Sequence, residues 1–198
     1  MTGTTSTTGT TSGSTARISA ARDGFFVRAM SWWSRRTYGD VLQPGLVMAH
    51  NRKVLMTNVR HERSVEKWDA LDAELTDLAT LAAAATVGCS WCLDFGYWVS
   101  HGHGVARDKL EAVTTWRTSC AYTELERQVI AYAEAMSRTP VEVTDEMVLD
   151  LVRELGEPAV VELTAVVALE SQRSRFNIAL GLESQGFKAQ CDLRPAGG

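Results

Sequence analysis

Apolar residues recur at steps of three and four positions over much of the chain, which is the period of a helix with one buried face. The clearest example lies between Val65 and Val87, and Gly88 ends it immediately before a cysteine. The predicted buried stripe of this helix consists of Leu71, Leu75, Leu78, Ala82 and Ala85. The spacing therefore predicts an amphipathic helix in the middle of the chain.

Helix-start and helix-stop residues divide the C-terminal half into three more predicted helices. Thr123 and Glu126 have the spacing of a capping box, in which each side chain accepts a hydrogen bond from the other residue's backbone N–H. Thr144 precedes two acidic residues and is a typical N-cap, and Gly156 ends the segment that it begins. Pro158 suits the first turn of the last helix, whose apolar pattern continues to about residue 180.

The N-terminal part of the chain divides into a polar tail and a short aromatic segment. Residues 2–16 are almost all Thr, Gly and Ser, so nothing there offsets the entropy of ordering the backbone. The aromatic segment from Ile18 to about Tyr38 predicts a short helix or a helix pair packed on the main domain, followed by a turn at residues 43–45. We therefore predict a disordered tail over residues 1–16 and one helical domain over 17–198.

Strand patterns are rare in this sequence, so the predicted class is all-α, with helices packed as an antiparallel bundle. Hydrophobic residues make up 45% of the chain, charged residues make up 22%, and the formal net charge is -4. A mildly acidic chain without a basic stripe is not expected to bind nucleic acid. No apolar run is long enough to cross a membrane, and the predicted compartment is the cytoplasm, where most cysteines stay reduced.

Two of the four cysteines, Cys89 and Cys92, stand three positions apart at the predicted start of a helix. This spacing brings two sulfur atoms within reach of a disulfide. The free N–H groups and the dipole at a helix N-terminus stabilise a thiolate, which is the reactive form of cysteine. The motif thus favours reversible thiol–disulfide chemistry. Cys120 and Cys191 have no partner nearby in the sequence and are expected to be free thiols.

Two other interpretations of the pair remain open from the residues alone. The cysteines could be buried by chance in a helical core, since free cysteine is a common core residue. They could also bind zinc together with His101 and His103, although structural zinc sites usually space their histidines three to five residues apart. We expect no metal, and we expect both histidines to lie in a solvated loop from residue 100 to 104.

The helix from Leu71 to Val87, the Gly-Cys-x-x-Cys turn and the stretch from Tyr122 through the run Arg175 to Gly181 together resemble the carboxymuconolactone decarboxylase family, in its alkylhydroperoxidase D-like branch. The resemblance covers residues 70–187. It implies an all-helical bundle that assembles as a homo-oligomer, a trimer or larger. It also implies an enzyme that works without a metal or an organic cofactor.

The resemblance also implies roles for individual residues. In the peroxidase members the second cysteine attacks the peroxide and the first resolves the product, so Cys92 is the predicted peroxidatic residue and Cys89 the resolving one. The position of the family's glutamate, twelve residues before the first cysteine, is held by Asp77. The family's proton-relay histidine, four residues after the second cysteine, is replaced by Gly96. The candidates to replace it are His101 or His103, if the chain folds back after the helix, and Asp94 or Asp77 acting through water.

These observations lead to one preferred function and two alternatives. The preferred function is a thiol-dependent oxidoreductase, a peroxidase or a disulfide reductase, that acts on a small peroxide or disulfide and is recharged by a cellular dithiol. Loss of the relay histidine at residue 96 predicts weak peroxidase activity. The alternatives are a decarboxylase or lactone-acting enzyme of the same fold, and a non-enzymatic oligomeric module whose cysteines sense redox state.

Overall fold

A computed structural model describes residues 16–21 and 24–191, and all regular structure within these ranges is helical, which confirms the predicted all-α class. The predicted disordered tail lies almost entirely outside the described residues. The helices are α1 Phe25–Tyr38, α2 Gln43–Met48, α3 Arg52–Val65, α4 Ala73–Val87, α5 Ser90–Gly102, α6 Arg107–Ala112, α7 Glu124–Ser137, α8 Asp145–Leu155, α9 Glu157–Ala179 and α10 Phe187–Cys191, with a short 3-10 turn after α6. None of these helices combines the length and the apolar character needed to cross a membrane.

Helix α4 is the centre of the bundle and packs against α5, α7 and α9. Its residues are buried on several faces, and Leu78, Ala79 and Ala83 are fully inaccessible. A helix that is apolar on several faces is stable only when other helices surround it. Small alanine side chains let these neighbours approach closely, so α4 carries the core that fixes the start of α5.

Three helix starts follow from their capping residues. Asp72 accepts hydrogen bonds from the N–H groups of the first turn of α4. The predicted capping box of Thr123 and Glu126 is present at α7, and Thr144 caps α8. Each cap satisfies N–H groups that have no partner within the helix, and a cap of this kind stabilises a helix by about 1 kcal/mol.

The N-terminal region differs from the prediction in two places. The expected turn at residues 43–45 is the first turn of α2, where Pro44 takes a position that needs no N–H donor. Helix α3, which Asn51 caps, was not predicted, and a break at residues 66–72 separates it from α4. The apolar steps around Val65 therefore belong to two helices rather than one.

Helix α1 packs only partly on the domain. Val27 and Ser34 are buried, whereas Phe25, Trp32 and Trp33 are 88%, 66% and 49% exposed. The tryptophans of α1 therefore contribute little to the core, contrary to the expectation that this aromatic segment as a whole packs on the main domain.

Candidate redox site at the start of helix α5

The chain reverses direction between α4 and α5 at Gly88, and this turn presents both cysteines to the core. Gly88 has φ +84°, a left-handed conformation that glycine adopts without strain. Cys89 then caps α5, and its Sγ accepts a hydrogen bond of 3.1 Å from the backbone N–H of Cys92. The predicted placement at a helix N-terminus is therefore present.

Cys89 and Cys92 form a disulfide, with their Cα atoms 5.3 Å apart. This separation lies within the ordinary range for bridged cysteines. Cys89 is completely buried, whereas Cys92 is 7% exposed. A small molecule that reaches the pair from solvent would therefore meet Cys92 first.

Two side chains of α9 donate hydrogen bonds to the sulfur atoms. Ser174 Oγ lies 3.4 Å from Cys92 Sγ. Asn177 Nδ2 lies 3.4 Å from Cys92 Sγ and 3.9 Å from Cys89 Sγ. Both residues are buried, so these donors are shielded from competing water. Donors aimed at sulfur stabilise a thiolate more than a thiol.

A buried carboxyl group stands behind Ser174. Glu170 Oε1 lies 2.9 Å from Ser174 Oγ, and Glu170 Oε2 lies 3.3 Å from the guanidinium of Arg173. Burial raises the pKa of Glu170, and the hydrogen bonds and charge of Arg173 and Ser174 oppose that rise. Arg173 also binds both carboxylate oxygens of Glu62 in α3. Arg173 therefore forms ion pairs with two carboxyl groups, those of Glu62 and Glu170.

The sequence did not single out any of these α9 side chains. Asn177 belongs to the run that carries the family resemblance, but that run assigned it no role. Ser174 and Glu170 lie 82 and 78 positions after Cys92. Their four-residue spacing places them on one face of a helix, but nothing in the sequence indicates that this face contacts the cysteines.

Asp77 does not contact the cysteines. Its carboxylate lies 2.8 Å from Nδ1 of His103, and it is also close to Ser100 near the end of α5. Ser100 is eight residues beyond Cys92, which corresponds to roughly 12 Å along a helix. Burial raises the pKa of Asp77, and His103 and Ser100 oppose that rise. The predicted role of Asp77 requires its carboxylate near Cys92, but the structure places this carboxylate beside His103 at the other end of α5.

The two histidines lie at the opposite end of α5 from the cysteines. His101 belongs to the last turn of α5 and stacks on Tyr97, with ring centroids 6.5 Å apart, so the chain does not fold back to bring it to Cys92. His103 pairs with Asp77 rather than standing idle in a loop. The four residues of the considered zinc site are thus divided between the two ends of one helix.

Gly96 of α5 packs closely against Leu81 of α4. A Cβ atom added to Gly96 would stand 3.0 Å from Cδ2 of Leu81, which is itself buried. This contact is tighter than ordinary van der Waals packing. Leu81 of α4 occupies the space that a side chain at residue 96 would need. A histidine at this position would therefore have to displace Leu81.

Asp94 has a structural role next to the site. Its carboxylate accepts hydrogen bonds from four consecutive backbone N–H groups, of residues 185 to 188, at distances from 2.8 to 3.0 Å. The start of α10 is held against α5 in this way. The side chain of Gln185 in turn accepts a hydrogen bond of 2.8 Å from Nε1 of Trp91.

Aromatic rings line one side of the disulfide. Trp91 and Phe95 stack with their centroids 5.0 Å apart, and Phe95 stacks on Trp98 at 5.9 Å. Phe95 and Leu42 pack against the buried cluster that contains both cysteines. This apolar wall lowers the local polarity around the sulfur atoms.

Residues 55–135, which include both cysteines, match the model of the carboxymuconolactone decarboxylase family. The chain is also 33% identical to the uncharacterized protein YnjA of Escherichia coli (strain K12) over 165 residues, which cover 81% of this chain and 89% of that protein.

Solved structures share the fold at lower identity. An uncharacterized peroxidase-related protein from Ralstonia eutropha JMP134, described as an alkylhydroperoxidase AhpD core, is 15% identical with a TM-score of 0.74, and the match covers 88% of this chain and 95% of that one. A variant of the debrominase Bmp8 in complex with 2,3,4-tribromopyrrole is 20% identical with a TM-score of 0.74, and the match covers 84% and 89% of the two chains.

Proposed function

Because the chain belongs to the carboxymuconolactone decarboxylase family, with the alkylhydroperoxidase D-like fold, we propose that it is a thiol-dependent oxidoreductase whose Cys89–Cys92 pair alternates between dithiol and disulfide. The observation that carries this proposal is the disulfide at the start of α5, in which Cys92, the more accessible of the two residues, faces two hydrogen-bond donors.

With a peroxide as substrate, the thiolate of Cys92 attacks one oxygen of the O–O bond. That bond breaks, the other oxygen leaves as an alcohol after taking a proton, and Cys92 becomes a sulfenic acid. The thiolate of Cys89 then attacks the Cys92 sulfur and water leaves, which forms the disulfide. A dithiol donor reduces the disulfide by two thiol exchanges and is itself oxidised to a disulfide.

The same pair supports disulfide reduction. In that reaction the Cys92 thiolate attacks a substrate disulfide, one thiol of the substrate leaves, and Cys89 resolves the mixed disulfide. Both reactions require a small substrate, because Cys92 is only slightly exposed. The cytoplasmic location, the dithiol donor and the homo-oligomer are part of this proposal, and light scattering of the purified protein would measure its mass.

Reductive debromination is a second candidate, favoured by the aromatic wall of Trp91 and Phe95 beside the cysteines and by the fold shared with a debrominase. In that reaction an aryl C–Br bond becomes a C–H bond, bromide leaves, and two thiols are oxidised to the disulfide. The electrons and atoms balance with the same dithiol donor, so only the acceptor differs.

One assay separates these functions. The protein is supplied with excess dithiothreitol and offered hydrogen peroxide, an alkyl hydroperoxide, a small aromatic disulfide or a bromopyrrole in turn, and substrate loss and bromide release are measured. We expect turnover of a peroxide or the disulfide, and its absence in Cys92→Ser. Bromide release without peroxide or disulfide turnover would favour the second candidate. No turnover of any acceptor would contradict the enzymatic proposal and leave the redox-sensing alternative.

A further inference from the structure

Three side chains on one face of α9 lead from the cysteines into the interior. Glu170, Ser174 and Asn177 are spaced by four and three residues, so they project from the same side of the helix. All three are buried. Ser174 Oγ stands between Glu170 Oε1, at 2.9 Å, and Cys92 Sγ, at 3.4 Å. The hydroxyl group therefore connects a carboxyl group to the sulfur that we propose attacks the substrate.

A serine hydroxyl carries one proton and accepts hydrogen bonds on its oxygen. It cannot donate to Glu170 and to Cys92 at the same time. When it donates to Cys92, a protonated Glu170 completes the chain by donating to Ser174. When Cys92 is a thiol that donates to Ser174, the hydroxyl donates to an ionised Glu170. Both directions satisfy every polar atom, and they differ by the transfer of one proton along the chain.

The charges around Glu170 favour a carboxyl group that changes its protonation state. The charged groups that face it are Arg173 from α9 and Glu62 from α3, and Glu62 accepts two hydrogen bonds from Arg173. One positive charge is thus shared between two carboxylates, which leaves Glu170 incompletely neutralised. Burial disfavours the second negative charge, as the raised pKa of Glu170 reflects.

From this geometry we infer that Ser174 is a catalytic residue that accepts the proton of the Cys92 thiol, and that Glu170 is the positioning residue that receives a proton from Ser174. The inference rests on the proposed function. Ser174 and Glu170 of α9 would then relay the proton of Cys92, as the family's histidine does. In this chain Gly96 holds the position of that histidine. The relay approaches Cys92 from α9, so it does not depend on α4, where Asp77 lies.

The step is balanced within the site. The S–H bond of Cys92 breaks and an O–H bond forms on Ser174, while the original hydroxyl proton of Ser174 moves to Oε1 of Glu170. The products are a thiolate and a neutral carboxylic acid, with no change in the total charge of the site. Because no charge leaves or enters a buried region, the transfer avoids the cost of creating an isolated buried anion.

The test measures the reactivity of Cys92 without any redox substrate. Reduced protein is alkylated with iodoacetamide over a range of pH values, and modification of the Cys92 peptide is followed by mass spectrometry. Two coupled groups that share a proton titrate in two steps. We therefore expect the rate of the unmodified protein to rise first below the ordinary thiol pKa of about 8.5, and again above it.

Ser174→Ala removes both the hydrogen bond to sulfur and the path to Glu170, and Glu170→Gln removes the proton acceptor. We expect the lower step to disappear in both variants, leaving one titration near the ordinary thiol range. At neutral pH the rates should fall by roughly tenfold to a hundredfold, and they should approach the rate of the unmodified protein at high pH. A defect of folding would not be repaired by raising the pH.

Ser100→Ala is a matched control, because Ser100 is also a buried serine close to a buried carboxylate, Asp77, but lies at the other end of α5. Its profile should keep both steps. Profiles of Ser174→Ala and Glu170→Gln that coincide with that of the unmodified protein would overturn the relay. If Glu170→Gln does not fold by circular dichroism, Ser174→Ala decides alone.

The outcome for the relay is distinct from the outcome for the proposed function. Loss of the lower step together with an absence of turnover would support the relay and contradict the enzyme. If the unmodified protein turns over peroxide but the profiles of Ser174→Ala and Glu170→Gln are unchanged, the enzyme is supported and the relay is contradicted.

Discussion

The imidazole of His103 lies 2.8 Å from the carboxylate of Asp77, at the end of α5 opposite to Cys92. This pair joins α4 to the end of α5, about three helical turns from Cys92. The carboxylate of Asp77, which holds the sequence position of the family's glutamate, therefore contacts His103 and connects α4 to the end of α5. The proton relay that we propose comes instead from α9.

The first prediction concerns the Asp77 pair. Asp77→Asn, His103→Ala and His101→Ala should each leave the rate of Cys92 oxidation by hydrogen peroxide within about twofold of the unmodified protein, because none of the three side chains contacts a cysteine. Stopped-flow measurement on the reduced protein tests this. A loss of a hundredfold in any of them would restore the relay predicted from sequence.

The second prediction concerns Asp94, which accepts four backbone N–H groups at the start of α10. Asp94→Asn replaces one acceptor oxygen with an amide that repels these donors, so the free energy of unfolding should fall by about 2 kcal/mol. Urea denaturation measures the change, and Asp69→Asn, at an exposed position, is the control. Equal midpoints for both variants would show that the four hydrogen bonds contribute nothing net.

The third prediction concerns pH. Burial of Glu134 acts to raise its pKa, but hydrogen bonds from Arg117, Arg138 and Trp116 outweigh burial and lower the pKa to about 2. A lowered folded pKa gives stability that is present above the unfolded value of 4.5 and is lost as the pH falls toward 2. Because the arginines are substantially exposed, the effect should be on the order of 1 kcal/mol.

Unfolding by urea between pH 5 and 2 therefore distinguishes Glu134→Gln from the unmodified protein. The variant should be less stable at neutral pH, and its stability should fall less steeply through this range. Parallel stability curves would mean that Glu134 has nearly the same pKa in the folded and unfolded protein.

The fourth prediction concerns the helix crossing at Gly96. Alanine is the better helix former by about 1 kcal/mol, but overpacking a core costs about 1 to 3 kcal/mol. We expect Gly96→Ala to destabilise the protein by about 1 kcal/mol, because Leu81 is buried and must shift. In a Leu81→Ala background the same substitution should be neutral or stabilising. Equal effects in the two backgrounds would show that Leu81 does not restrict residue 96.

The sequence predicted the features that depend on local chemistry. Asp72 was not singled out, but Thr123 and Thr144 marked helix starts correctly, because a cap bonds only to its own first turn. The cysteine pair was found for the same reason. Ser174 and Glu170 could not be found, because their role depends on how α9 crosses α5, and that crossing is fixed by the packing of both helices on α4.

The structure places two of the sequence-predicted site residues away from the cysteines, and both positions have a common cause. Asp77 and His101 were selected by their distance in sequence from the cysteines, but an antiparallel helix pair brings together residues that lie at equal distances on either side of its turn. Each residue along α4 or α5 adds about 1.5 Å to the distance from the turn at Gly88, where the cysteines lie. The structure therefore pairs Asp77 with the far end of α5, where no cysteine lies.

The central claim is that Cys92 attacks the substrate and Cys89 resolves the product. It is tested most directly by adding one equivalent of hydrogen peroxide to the reduced protein and locating the oxidised sulfur by mass spectrometry. The unmodified protein should lose the Cys89 and Cys92 thiols together and form their disulfide. Cys89→Ser should accumulate a dimedone-reactive sulfenic acid on Cys92, and Cys92→Ser should leave Cys89 reduced. Oxidation of Cys89 in Cys92→Ser at the rate of the unmodified protein, with Cys92 unreactive in Cys89→Ser, would contradict the account.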